Sequence, residues 1–120
     1  MTDDTVSNER IGIDEGSHTI LRYTIPDDDP IVSLAGVEIE WWMFPMLSPG
    51  AGPLIRKTVG NGIEITDPEA RVFEVSLDPG DTFSIPGSYL YEAAVKDING
   101  RIGYYAAGVI VVLPTQIRFV

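Results

Sequence analysis

The sequence predicts an all-β chain, folded as an antiparallel β-sandwich of about seven strands. Three observations predict it. Turn residues recur about every ten positions, the spacing of short strands in a sandwich. The runs between them alternate apolar and polar side chains with a period of two. No stretch longer than a turn carries the 3.6-residue period of a helix.

Taken in order, residues 1–10 read as an arm with Asp3, Asp4 and Glu9 in water, and residues 10–13 as a short edge strand. Residues 18–25 form the first full strand, with Leu21, Tyr23 and Ile25 inward and Ile20, Arg22 and Thr24 outward. Pro26-Asp27-Asp28-Asp29-Pro30 ends it, because proline lacks a ladder N–H and aspartate favours turns. These acids read as a solvated turn, since a calcium loop spaces its carboxylates around a glycine and adds a distal acid. Residues 31–36 read as an apolar linker that plugs one end of the core. In residues 37–44 Glu38 and Glu40 mark the outward parity, so Trp41 belongs to the core while Trp42 and Phe44 point out. Residues 45–53 hold three prolines and two glycines and form a loop. Residues 54–58 form a strand in which the adjacent Arg56 and Lys57 cannot both face inward. A short strand follows at 63–65. Another at 71–77 turns Phe73, Val75 and Leu77 inward and excludes Arg71. Residues 78–81 make a turn or a single helical turn.

The longest feature is a hairpin from Gly87 to Leu113, turning at Asn99-Gly100, a pair suited to the positive φ of a tight turn. On its first arm Tyr89, Tyr91, Ala93 and Val95 face inward, leaving Leu90 and Ala94 outward. The position of Tyr89 near the start of this arm suits the tyrosine corner of an immunoglobulin-like sandwich, and equally a plain core residue. Residues 109–113 are apolar on both parities, which predicts cover on both faces. Trp42, Phe44, Leu90 and Ala94 therefore form a candidate interface patch on one outer sheet face. Ile117, Phe119 and Val120 extend the candidate interface into a C-terminal tail, residues 115–120. The tail either adds as a strand to a neighbouring sheet or folds back over Trp42.

Composition bounds the partners. The chain has 120 residues, 44% of them hydrophobic, enough for one domain with its own core over residues 11–114. It has no cysteine, so disulfides and thiolate metal sites are out. A net charge of −10 disfavours nucleic acid and anionic membrane surfaces. No run approaches the ~20 apolar residues of a membrane span, and residues 1–8 lack the basic and apolar regions of a signal peptide. His18 is the only histidine. No nucleophile–base pair, phosphate loop or metal-ligand cluster can be named, so the reading is a non-enzyme without cofactor or metal.

The order of motifs resembles the immunoglobulin-like domain at the start of phage baseplate upper proteins, and related small prophage proteins. Those motifs are Asp14-Glu15-Gly16-Ser17 before Leu21-Arg22-Tyr23-Thr24, then Pro26-Asp27-Asp28-Asp29-Pro30 and Ser33-Leu34-Ala35-Gly36-Val37 leading into residues 38–44. They continue with Gly62-Ile63-Glu64-Ile65-Thr66-Asp67, Pro86-Gly87-Ser88-Tyr89-Leu90-Tyr91 and Val95-Lys96-Asp97-Ile98-Asn99-Gly100. Together they span about residues 11–114. The longer glycine–proline loop at 45–53 departs from that pattern, and the chain reads as a stand-alone module. The resemblance implies a virion building block of a tailed phage or prophage-derived particle, in the tail, baseplate, neck or capsid surface. Its partners would be other virion proteins, or copies of itself in an oligomer, and it would carry no catalytic residues. Two rivals stand beside it. One is a carbohydrate-binding or adhesion module, which a concave groove lined by Trp42 and carboxylates would favour. The other is an accessory domain of an enzyme.

Overall fold

The computed structural model describes residues 10–47, 50 and 52–117. Among them lie eight strands: β1 (Ile11–Asp14), β2 (Thr19–Thr24), β3 (Glu38–Pro45), β4 (Ile55–Val59), β5 (Gly62–Asp67), β6 (Val72–Leu77), β7 (Gly87–Lys96) and β8 (Ile102–Leu113). One helical turn, α1 (Pro79–Thr82), connects β6 to β7. Hydrogen bonds link the strands in the order β1-β8-β7-β3-β4-β5-β6-β2.

The step from β4 to β5 is a corner rather than ordinary pairing. It is parallel and joins only Thr58 to Gly62 and Val59 to Ile63. Two residues, Gly60 and Asn61, separate the strands, whereas a parallel crossover takes a dozen or more. The Asn61 N–H donates to the Thr58 carbonyl and the Thr58 N–H to that of Asn61, so the chain bends sharply here. The ladder is therefore two layers joined at one edge: β1-β8-β7-β3-β4 facing β5-β6-β2. That is an immunoglobulin-like sandwich. It has eight strands among the described residues, close to the seven expected, and it is not wholly antiparallel. β1 runs parallel along β8, pairing Ile11 with Ile110 through Asp14 with Leu113, and thereby covers the edge of the last strand.

The inward parities meet as expected between the layers. Trp41, Phe73, Val75, Leu77, Tyr91 and Val95 are buried, and Ile31 and Leu34 of the linker close one end. Trp41 stacks on Tyr91 with centroids 6.3 Å apart. The Tyr89 hydroxyl donates to the Ile85 carbonyl at 2.9 Å, four residues back, so this is a tyrosine corner.

Four expectations need correction. The hairpin turns at Asn99-Gly100 as expected, but of that pair only Gly100 takes a positive φ. Asp97 N–H pairs with the Arg101 carbonyl, Gly100 N–H with that of Asp97, and Gly100 has φ +84°, a three-residue loop with a glycine bulge. The Asp97 carboxylate organises it by accepting the N–H groups of Asn99 and Arg101. Asp29 is not a solvated turn acid: it is buried and accepts from the Tyr105 hydroxyl at 2.8 Å and the Ile31 N–H at 2.9 Å. Burial, and then the bond to Asp29, raise the Tyr105 pKa above its usual value. Arg71 is not outside the core either. It is buried with φ +61°, and Nη2 reaches Asp27 Oδ1 at 2.6 Å, so its charge is met although its stem is enclosed.

The fourth correction concerns residues 109–113. A β-bulge lies between the pairs Ala93–Ala106 and Ala94–Tyr104, leaving Tyr105 without a register partner. Tyr105 and Ala106 are consecutive and both buried. The bulge thus reverses the parity of β8, so that Ile110 and Val112 face the core while Val109 and Val111 face out. The outer face of this stretch carries no second layer among the described residues.

Glu15 is a further buried carboxylate, 3% exposed. It accepts the Ser84 N–H at 2.6 Å and the Thr115 N–H at 3.3 Å, while its own N–H donates to the Leu113 carbonyl at 2.8 Å. The β1–β2 turn, the end of α1 and the exit of β8 are tied at this one side chain.

Candidate functional site

The outer face of the five-stranded layer is set by register. Period-two alternation puts Phe44, Leu90 and Val109 in one cross-strand row, since Phe44 pairs with Leu90 and Leu90 with Val109. The next row is Trp42, Glu92 and Ala107, with Arg56 of β4 beside Trp42. The row after it is Glu40, Ala94 and Tyr104, with Thr58 beside Glu40. Val111 opposite Ser88 continues the apolar side. Trp42, Phe44, Leu90 and Ala94 thus stand on one face, all half-buried by their neighbours. The structure does not bring Ile117 to them. It follows Thr115, which is bonded to Glu15, and it is 76% exposed. Phe119 and Val120 lie outside the described residues.

Where the rows change from apolar to charged, the face is concave. Glu40, Trp42, Glu92, Ala94 and Tyr104 line a groove of about 210 Å3. The small side chain of Ala94 leaves the floor low. Trp42 on β3 and Tyr104 on β8 flank it, on strands two spacings or about 9–10 Å apart and in adjacent cross-strand rows. The groove is thus walled by aromatic rings and edged by carboxylates.

The two carboxylates differ. Glu40 Oε1 accepts the Trp42 indole N–H at 2.6 Å and Arg56 Nε at 2.7 Å, and Oε2 accepts Arg56 Nη2 at 2.6 Å. This fork-on-carboxylate geometry fixes both partners. The Arg56 hydrogen bond chiefly holds the Glu40 carboxyl below its usual pKa, against a smaller opposing effect of burial, and the same bond raises that of Arg56. Glu92, by contrast, is exposed and its side chain makes no hydrogen bond or ion pair among the described residues. Tyr104, 55% exposed, faces out because it pairs with outward-facing Ala94 on the turn side of the bulge, and that pairing follows from the three-residue turn rather than from the pattern of β8 itself.

No family model matches the chain, and no curated protein matches it. Among solved structures it is similar to AggA, the major subunit of aggregative adherence fimbriae type I from Escherichia coli. The two share 16% identity over 86% of this chain and 89% of that chain, with a TM-score of 0.35. That likeness is too loose to bear on the site. Among the described residues no group of three or more His, Cys, Asp or Glu is placed to hold a metal ion, and no helix is long and apolar enough to cross a membrane.

Proposed function

We propose that the protein is a non-catalytic structural subunit that works by protein–protein contact through the outer face of its five-stranded layer. More specifically, we place it in a tailed-phage or prophage-derived particle. The observation that carries the contact role is the apolar run across three strands, Phe44, Leu90 and Val109, continued by Val111 and by Leu54, which is 50% exposed. An outer sheet face of a soluble sandwich normally turns polar side chains to water, and a continuous apolar patch marks a partner site. The particle assignment rests on the ordered motifs from Asp14 to Gly100 in the sequence.

Mass spectrometry of particles purified from an induced culture of the source strain tests this reading. The protein is expected there in stoichiometric amounts, and a Leu90→Glu variant that folds normally is expected to be excluded. Absence of the wild-type chain from such particles, together with a monomer by light scattering, overturns it. A second reading, a saccharide-binding adhesion module, is favoured by one specific observation: the groove is concave and pairs Trp42 with two carboxylates.

A further inference from the structure

We propose that the groove between Trp42 and Tyr104 seats a cationic side chain, arginine above all, presented by a partner protein. This rests on the contact role above and names the chemistry of what is recognised.

The argument begins with charge. Glu40 is spent: Arg56 and the Trp42 indole N–H occupy its oxygens, and Arg56 cancels its charge. Glu92, on the same groove, is left as a negative charge with no hydrogen bond or ion pair among the described residues. It stands beside Trp42 in the β3–β7 register and two residues from Ala94 on the floor. A guanidinium is the group that uses all of this at once. Its plane stacks on indole and phenol faces, and its N–H fork matches a carboxylate. The walls supply rings from two strands, and Glu92 supplies the carboxylate.

The alternatives fit less well. A saccharide needs several convergent donors and acceptors for its hydroxyls, and the Trp42 N–H and both Glu40 oxygens are already engaged. A second copy of this chain brings a net charge of −10 to a face that is itself acidic at the groove. A basic residue on another protein is complementary to it. Surrounded by a partner's apolar side chains meeting Phe44 and Leu90, such an arginine would be the desolvated anchor typical of an interface centre.

The test is an NMR titration of the 15N-labelled full chain with Nα-acetyl-arginine amide, with its neutral isostere Nα-acetyl-citrulline amide as control. The Trp42 indole N–H is the reporter. The Trp41 indole N–H, which is directed to the Tyr23 hydroxyl inside the core, is the internal reference. A saturable shift of Trp42 with arginine and none with citrulline is expected. Glu92→Gln should weaken the binding by up to about fivefold, the worth of an exposed ion pair, and Tyr104→Ala should weaken it too while leaving the fold intact. Equal shifts from citrulline, or unchanged affinity in Glu92→Gln, overturn the proposal. So does a shift from maltose without one from arginine, which supports the saccharide reading. Self-association that Glu92→Gln abolishes, seen by light scattering, would make a second copy the occupant and also overturn it. Incorporation into particles is read separately. A chain present in particles that does not bind arginine loses the groove assignment alone, and one that binds arginine but is absent from particles loses the particle role alone.

Discussion

Trp41 and Trp42 are adjacent, yet one is fully buried and the other flanks a surface groove. That division was legible, because Glu38 and Glu40 set the parity of their strand. Truncation should separate them: Trp41→Ala is expected to cost about 3–5 kcal/mol, while Trp42→Ala should shift a urea midpoint far less. Glu40 gives the pH prediction. Its carboxyl is held below the usual 4.5, chiefly by the Arg56 hydrogen bond. A depressed carboxyl stabilises the fold above its unfolded value, and that contribution is lost as pH falls through the folded value. The Trp42 indole N–H signal should therefore stay constant from neutral pH to about 4.5 and move only below it, and a Glu40→Gln variant should lack that step. What was not legible at this scale is the burial of Asp29, Arg71 and Glu15. Each sits in a turn-rich stretch where acids and bases normally meet water, and each is enclosed only because a partner remote in sequence supplies its hydrogen bonds.

Among elements, the strands were largely readable because alternation is local, and their ends because proline, glycine and aspartate punctuate them. The bulge in β8 was not, since it inserts one residue into a run whose parities are both apolar and so leaves no trace in the pattern. Gly103 was the available signal, because a glycine inside a strand often marks a bulge or a close approach. Here it is the close approach: a Cβ on Gly103 would overlap the Tyr105 ring and hydroxyl. Gly103→Ala should push Tyr105 off Asp29 and cost about 1–3 kcal/mol, the usual penalty of overpacking. Chemical denaturation measures that cost, and Tyr105→Phe should not rescue it, because the ring carbons also collide and Asp29 loses its donor. The candidate site inherits the same limit. Its β3 and β7 members follow from alternation alone, whereas Tyr104 follows from the register of the turn, and the outward turn of Val109 and Val111 from the bulge.

At the scale of the whole molecule, the sandwich is made from one ladder bent at residues 59–62, with its two outermost strands, β1 and β2, joined by a short turn. Glu15 sits in that turn, and its carboxylate binds N–H groups 69 and 100 positions away. This has a kinetic consequence. Contacts of such long range are rewarded only after the intervening chain has been ordered, since loop closure must come first. The Glu15 cluster should therefore be absent from the folding transition state, with a φ-value near zero. Glu15→Ala leaves the Ser84 and Thr115 N–H groups without their acceptor and is expected to cost about 1–3 kcal/mol. In stopped-flow chevrons that loss should appear almost wholly in the unfolding arm, with refolding rates unchanged. A single side chain at the seam would then govern how long the folded molecule persists, and have little say in how fast it is made.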